Sequence, residues 1–253
     1  MLVGLLALAS LTGVVPTPSA PQRYRIEMKA QQEVDLSALG GAKQTTDLGL
    51  VGFVTVTMSD TTGGQLAHIV VDSVVVPAGI ELPPQMGEPA SAKGVFFHGY
   101  IVDGKAKGGL KPNQPNQLVA MLAGGVENLF PGIRTTAKVG DTWSDTVKTD
   151  SNADGMMQQS VTMINWTASA GANGMLQYDG VANGTSKREG NAGNGKQTVD
   201  AKITGTRSLS GPLAGPMQKG TIKAMQDLVV TMEGAPEPIP VTAVTEITFT
   251  IIP

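Results

Sequence analysis

Apolar and polar side chains alternate along most of the chain after residue 22, with the period of two that is typical of half-buried β-strands. The clearest example is residues 241–251. One face there carries Val241, Ala243, Thr245, Ile247, Phe249 and Ile251, and the other carries Thr242, Glu246, Thr248 and Thr250. Val244 breaks the pattern. The alternation predicts antiparallel strands with one buried face.

Glycine-rich turns separate these strands. Residues 50–58 and 66–76 flank a turn in which Gly63 and Gly64 can adopt positive φ, and the Asp103-Gly104 pair suits a type I′ turn. The count of apolar runs predicts on the order of ten to twelve strands. We therefore expect a large antiparallel sheet.

Residues 116–130 are the one segment with helical spacing. Asn116 can cap a helix, Gly124 and Gly125 weaken its middle, and Pro131 ends it. The predicted fold is all-β, a sandwich or a half-barrel with one short helix. Residues 21–253 form the β domain, and a division near residues 149–155 is the alternative to a continuous sheet.

The first 20 residues carry an apolar run, then prolines, and then a small-residue site at Ser19 and Ala20, which resembles a secretory signal. A basic start is lacking, so the segment is either cleaved or retained as an anchor. A helix of about 15 residues reaches roughly 22 Å, which is short for a bilayer. We expect an extracytoplasmic, periplasmic protein associated with a membrane. A retained segment would contact lipid or a partner subunit through Leu2, Val3, Leu5, Leu6, Leu8, Leu11, Val14 and Val15.

The composition excludes several kinds of catalysis and binding. The chain has no cysteine, which excludes disulfides and thiolate catalysis. The net charge is -3 and no basic block occurs, so a nucleic acid is not an expected partner. The sequence contains no phosphate-binding loop motif, and its context singles out no pair of Asp or Glu residues as a catalytic pair. The sequence predicts a protein without catalytic activity or cofactor, although a hydrolase using unmarked carboxylates stays an alternative.

The two histidines, His68 and His98, both lie in strand patterns. His68 shares its parity with Leu66 and Val70, so we expect a partly buried side chain with a structural role. His98 follows Phe97 and fits the same interpretation. A metal site made by the two histidines stays an alternative, although neither histidine has a second ligand at a characteristic spacing.

One segment resembles half of a calcium loop. Asp150, Asn152 and Asp154 alternate before Gly155, as oxygen ligands and a turn glycine do in such loops. The twelfth position is Val161 instead of a glutamate, and no helices flank the segment. A polar β-turn is the favoured interpretation, with a calcium site as the weak alternative.

Two stretches carry a family resemblance. Asn128-Leu129-Phe130-Pro131 precedes a Gly140-Asp141-Thr142-Trp143 turn, and a hairpin spans residues 51–76. Together they resemble bacterial exported β-rich envelope proteins of unknown function. The resemblance implies that the Trp143 side chain is buried in the core and that Asp141 caps the turn. It implies no enzymatic activity. More distantly, the chain resembles periplasmic accessory subunits of membrane complexes, photosynthetic reaction-centre and light-harvesting assemblies included.

These observations lead to two functional hypotheses. The first is a non-catalytic scaffold that stabilises partner subunits of a membrane complex, with residues 77–89, a long proline-rich loop, as a contact surface. The second is a carrier that holds a lipid or another apolar ligand in a curved sheet, as half-barrel lipoprotein carriers do. Methionine and valine would line that cavity, since methionines are frequent in the second half of the chain.

Overall fold

The alternating segments form eleven strands in the computed structural model, which describes residues 20–134, 136–153, 156–192, 195–212 and 215–253. The first five strands are β1 (Gln22–Asp35), β2 (Lys43–Thr61), β3 (Gly64–Val75), β4 (Phe96–Val102) and β5 (Lys105–Pro112). After the helix α1 (Gln117–Glu127) come β6 (Thr142–Ala153), β7 (Met156–Ala170), β8 (Leu176–Ala192), β9 (Gly195–Gly211), β10 (Lys219–Met232) and β11 (Ile239–Ile252). Single 3-10 turns occur at Ser37–Leu39, Pro84–Met86, Pro89–Ala92 and Ala172–Gly174.

All eleven strands belong to one antiparallel sheet with the order β5-β4-β3-β2-β1-β11-β10-β9-β8-β7-β6. Two meanders therefore meet where the first strand pairs with the last, from Arg23 opposite Ile252 to Val34 opposite Val241. The sheet is open, because β5 and β6 lie at its two edges. The prediction of an all-β fold with one short helix is confirmed, and the strands form one continuous antiparallel sheet.

The sheet runs without a break through the segment where a division was considered. β6 and β7 pair residue by residue from Thr142 opposite Thr167 to Ala153 opposite Met156. β7 then pairs with β8 over its whole length. Residues 149–153 are thus part of a hairpin within the sheet.

The helix begins where the sequence predicts. The Asn116 side-chain oxygen accepts a hydrogen bond from the backbone N–H of Val119 at 3.1 Å, which satisfies one free donor of the first turn. At the other end, the Asn128 amide donates to the Gly124 carbonyl at 2.6 Å. The helix ends at Glu127, three residues before the predicted end, and a turn follows.

Glycine lets the helix lie close to the sheet. A Cβ on Gly125 of α1 would lie 2.4 Å from Ile26 Cγ2, and one on Gly52 of β2 would lie 2.6 Å from Leu122 Cδ2. Leu118, Leu122 and Val126 are fully buried against this part of the sheet. Gly125, which weakens the helix in isolation, is therefore required for its packing. We call the sheet face under α1 the inner face and the opposite one the outer face.

The prediction that His68 is partly buried is wrong. Ala67, Ile69 and Val71 of β3 point to the inner face and are buried, whereas His68 is exposed on the outer face. Apolar residues occupy both parities of this strand, so the alternation could be assigned in either phase. The position of α1 decides which set is buried.

The contact between α1 and the sheet can be tested by removing one side chain. Leu122→Ala should lower the free energy of unfolding by about 2–5 kcal/mol, because it leaves a cavity between Gly52 and the helix. Urea denaturation measures the change. Gln117→Ala is the matched control, since Gln117 lies on the same helix with an exposed side chain. Equal stabilities for the two variants would contradict the packing.

Candidate functional site

Strands β6–β10, which we call the wing, extend past the helix and carry a groove on their inner face. The groove has a volume of about 150 Å³. We call it the inner groove and define it by the residues that line it from different strands. They are Val147 and Thr149 of β6, Ser160, Thr162 and Ile164 of β7, Ala182 of β8, residues 203–207 of β9, and Lys223 and Ala224 of β10.

Small residues give the inner groove its depth. Ala182, Gly205 and Ala224 stand in one row across three strands, so the floor of the groove lies close to the backbone. A Cβ on Gly205 would lie 2.5 Å from the Lys223 carbonyl oxygen, and one on Gly184 would lie 2.5 Å from that of Val161. Only glycine allows strands to approach in this way, as at the bends of curved sheets.

A cluster of aromatic residues lies at one end of the wing. The Trp143 and Trp166 rings stack with centroids 6.2 Å apart, and Tyr178 meets Trp143 edge-on at 6.5 Å. Trp143 is half-buried against the core and its indole N–H donates to Asp145 Oδ2 at 3.1 Å. The Asp141 carboxylate accepts from the Lys138 N–H at 3.0 Å and so closes the preceding turn.

Arg207 places its charge on the inner face of the groove, whereas Lys223, which also lines the groove, points to the outer face and pairs with Glu246. Arg207 is half-buried, and its Nη1 donates to the Asn128 side-chain oxygen at 3.2 Å, just after the end of α1. The ion pairs among the described residues do not include Arg207. Burial lowers the pKa of its guanidinium below the ordinary value. The partial negative charge of the helix C-terminus is a weak counter-charge for it.

The carboxylate on this face lies far from Arg207. Asp145 shares a row with Ile164, Ala182 and Gly205, so three strand spacings, about 14 Å, separate β6 from β9. Asp145 is also bound by the Trp143 indole. The groove thus combines an apolar floor with a desolvated positive charge at one side, an arrangement that can bind a ligand with an apolar part and an acidic group.

The structure describes only part of the segment that resembles a calcium loop. Asp150 and Asn152 lie on β6, exposed and on the outer face, and Asp154 lies outside the described residues. In the described ranges, no group of three or more His, Asp or Glu side chains is arranged to hold a metal ion. Residues 150–153 belong to β6, and the rest of the segment that was predicted to form a polar turn lies outside the described residues.

The N-terminal contact residues, Leu2 to Val15, also lie outside the described residues. Within the described part, no helix is long and apolar enough to cross a membrane. The predicted membrane or partner contact of this segment stays a prediction.

The loop at residues 77–89 borders a second groove, on the outer face. Pro77, Ala78 and Ile80 line it together with Val244 of β11, and its volume is about 480 Å³. Val244 also lines a neighbouring groove of about 400 Å³, where it faces Val181 and Met225. We call these two grooves together the outer groove.

The methionines do not line the inner groove as the carrier hypothesis predicts. Met157, Met163 and Met225 are exposed on the outer face, and Met156 and Met217 are buried. Valine and isoleucine line the inner groove instead. The prediction of a methionine-lined cavity is therefore wrong for this site.

Sequence reasoning missed Arg207. The sequence did contain an indication, because Arg207 alternates with Ile203 and Leu209 and so lies on the same face of the strand as these apolar side chains. An arginine in the apolar phase of a strand indicates a charge on the buried face.

Comparison with known proteins does not assign the chain to a family. No protein-family model matches the sequence, and no curated protein matches it.

The role of Arg207 can be separated from that of its hydrogen-bond partner. Arg207→Met should leave the free energy of unfolding unchanged or raise it, because it removes a half-buried charge that no carboxylate neutralises. Asn128→Ala should lower it by about 1–3 kcal/mol, since it leaves the guanidinium and the Gly124 carbonyl with fewer partners. Urea denaturation compares the two. An equal loss in both variants would show that Arg207 serves only to fasten α1.

Proposed function

We propose that this protein is an extracytoplasmic carrier that binds an amphiphilic ligand in the inner groove, with the acidic head of the ligand on Arg207. The observation that carries the proposal is the half-buried guanidinium beside an apolar floor, without a carboxylate partner among the described residues. No catalytic group is required for this function.

The energetics favour an anionic head. A guanidinium that has lost part of its hydration is costly until a negative group replaces the water. Arginine donates in a planar fork that matches a carboxylate or a phosphate with two parallel hydrogen bonds. Because the bond to Asn128 engages Nη1, the other guanidinium donors remain for a ligand.

The apolar part of the ligand would lie on Val147 and Ile203, beside the buried Ile164. At about 150 Å³ the groove is smaller than the roughly 300 Å³ at which small-molecule pockets begin, so it holds a short apolar segment. The remainder would extend along the wing past Ser160, Thr162 and Thr149, which line the same groove. This shape fits a single acyl chain better than a bulky lipid.

The proposal predicts selectivity for an acid over an alcohol of the same chain length. Decanoate should bind more tightly than decanol, and Arg207→Met should weaken decanoate binding at least about tenfold while leaving decanol unchanged, since one charge-assisted contact is lost. Tryptophan emission is the reporter, because the Trp166 ring lies against Gly180, directly opposite Arg207, and Trp143 stacks on Trp166. The emission of the pair is followed during titration of delipidated protein.

The matched control is Arg188→Met, an exposed arginine on the same face of β8. Decanoate binding should survive that change. Equal affinity for the acid and the alcohol, or equal binding by wild type and Arg207→Met, would contradict the proposal. Native mass spectrometry of protein purified from its host should also find a bound acidic amphiphile, and a ligand-free chain would count against the carrier.

A second candidate function is the scaffold, and the outer groove supports it. Val161, Met163, Val181, Met225 and Val244 place large apolar side chains on the outer face, and Val181 is 53% exposed. Exposed apolar patches on soluble surfaces often mark contacts with other proteins. The occupant would be a subunit of a membrane complex, photosynthetic complexes included.

A pull-down from native membranes with a C-terminal tag tests the scaffold. Integral membrane partners should be recovered with the chain, and a double variant, Met225→Lys with Val244→Lys, should lose them because it places two charges in the outer groove. Intact-mass analysis shows whether residues 1–20 remain. A cleaved chain recovered without partners would contradict the scaffold and leave the carrier.

A further inference from the structure

The two histidines of the chain lie side by side. His68 is on β3 and His98 is on the adjacent strand β4, and the two residues are directly opposite in the antiparallel register. Both side chains are exposed on the outer face. The fold therefore brings together residues that are thirty positions apart in sequence and that are the only imidazoles of the chain.

The spacing suits chelation. Directly opposite residues of an antiparallel pair have Cβ atoms about 4.5–5.5 Å apart. From that distance both imidazoles can turn to bring one nitrogen each to about 2.0–2.1 Å from a single ion. The strands that carry them are held firmly, because β3 pairs with β2 as well as with β4. The Phe96 ring flanks both imidazoles, with centroid distances of 4.8 Å to His68 and 6.0 Å to His98.

We propose that His68 and His98 form a binding site for a borderline divalent transition-metal ion, which binds through two imidazole nitrogens. Imidazole ligands suit Cu²⁺, Ni²⁺ and Zn²⁺, and among these Cu²⁺ binds most tightly to a given nitrogen site. No further His, Asp or Glu of the described residues joins the pair, so water or an external ligand fills the remaining positions. The site is separate from the inner groove, which lies on other strands and on the other face.

One neighbour limits the affinity. Lys111 of β5 is directly opposite His98 and is exposed on the outer face. Its ammonium group repels a cation at the histidine pair, and at this separation the repulsion is partly screened by water. Removing this charge without changing the backbone should therefore strengthen binding.

The test is a titration of the full chain with Cu²⁺ by calorimetry, with electron paramagnetic resonance to identify nitrogen ligands. His68→Gln and His98→Gln should each weaken binding at least about tenfold, since even outer-shell partners of a metal cost 10–100-fold. The double variant should be little worse than either single one, because loss of one imidazole already ends chelation. Lys111→Gln should bind more tightly than wild type.

Circular dichroism provides the control for folding, and all three side chains are exposed. A Cu²⁺ site elsewhere on the chain would persist in the double variant, so the number of bound ions should fall by one relative to wild type. The proposal is overturned if wild type and the double variant bind the same number of ions with the same affinity. It is also overturned if the spectrum of bound Cu²⁺ is unchanged by both single substitutions.

Discussion

The pairing of β1 with β11 under the helix is the contact on which the rest of the structure depends. It joins the N-terminal meander β1–β5 to the C-terminal meander β6–β11, and no other strand pair connects the two within the described residues. α1 packs at the centre of the sheet, where Gly125 meets Ile26 of β1 and Gly124 lies near Ile247 of β11. The helix covers the one seam that neither meander can form alone. Folding must therefore bring the two ends of the chain together, which is a slow, non-local step.

An open sheet also has two edge strands, whose unpaired backbone groups could pair with another chain. The β5 edge carries Lys105, Lys107 and Lys111, and Gly108 and Gly109 adopt positive φ where the register shifts against β4. A bridge between Lys105 and Pro131 covers its end. These features prevent pairing with another strand. The β6 edge is regular along its full pairing with β7, and its charged residues are Lys148 and Asp150 on the outer face and Asp145 on the inner face.

The sequence predicted the regular part of this fold and missed the parts that depend on tertiary packing. Strands, turns and the Asn116 cap follow from local alternation and hydrogen bonding, so they could be predicted. The face on which His68 lies could not be predicted, because apolar residues occupy both alternating sets of positions in β3. Only the position of the helix decides which set is buried. The inner groove could not be predicted either, since it depends on Ala182, Gly205 and Ala224 meeting in one row across three strands, and on the pairing that places Arg207 near them.

One part of the wing is less completely buried than the centre of the sheet. Tyr24, Ile26 and Leu122 are fully buried beneath α1, whereas Val147 on the inner face of the wing stays 38% exposed. Each Å² of such apolar surface that a ligand covers contributes roughly 25 cal/mol. Arg207 lines the same groove and is half-buried, and a half-buried charge lowers stability unless an anion neutralises it. Both costs disappear together when one molecule supplies an apolar chain and an acidic head, which is why the two features are better explained by a common ligand than by packing.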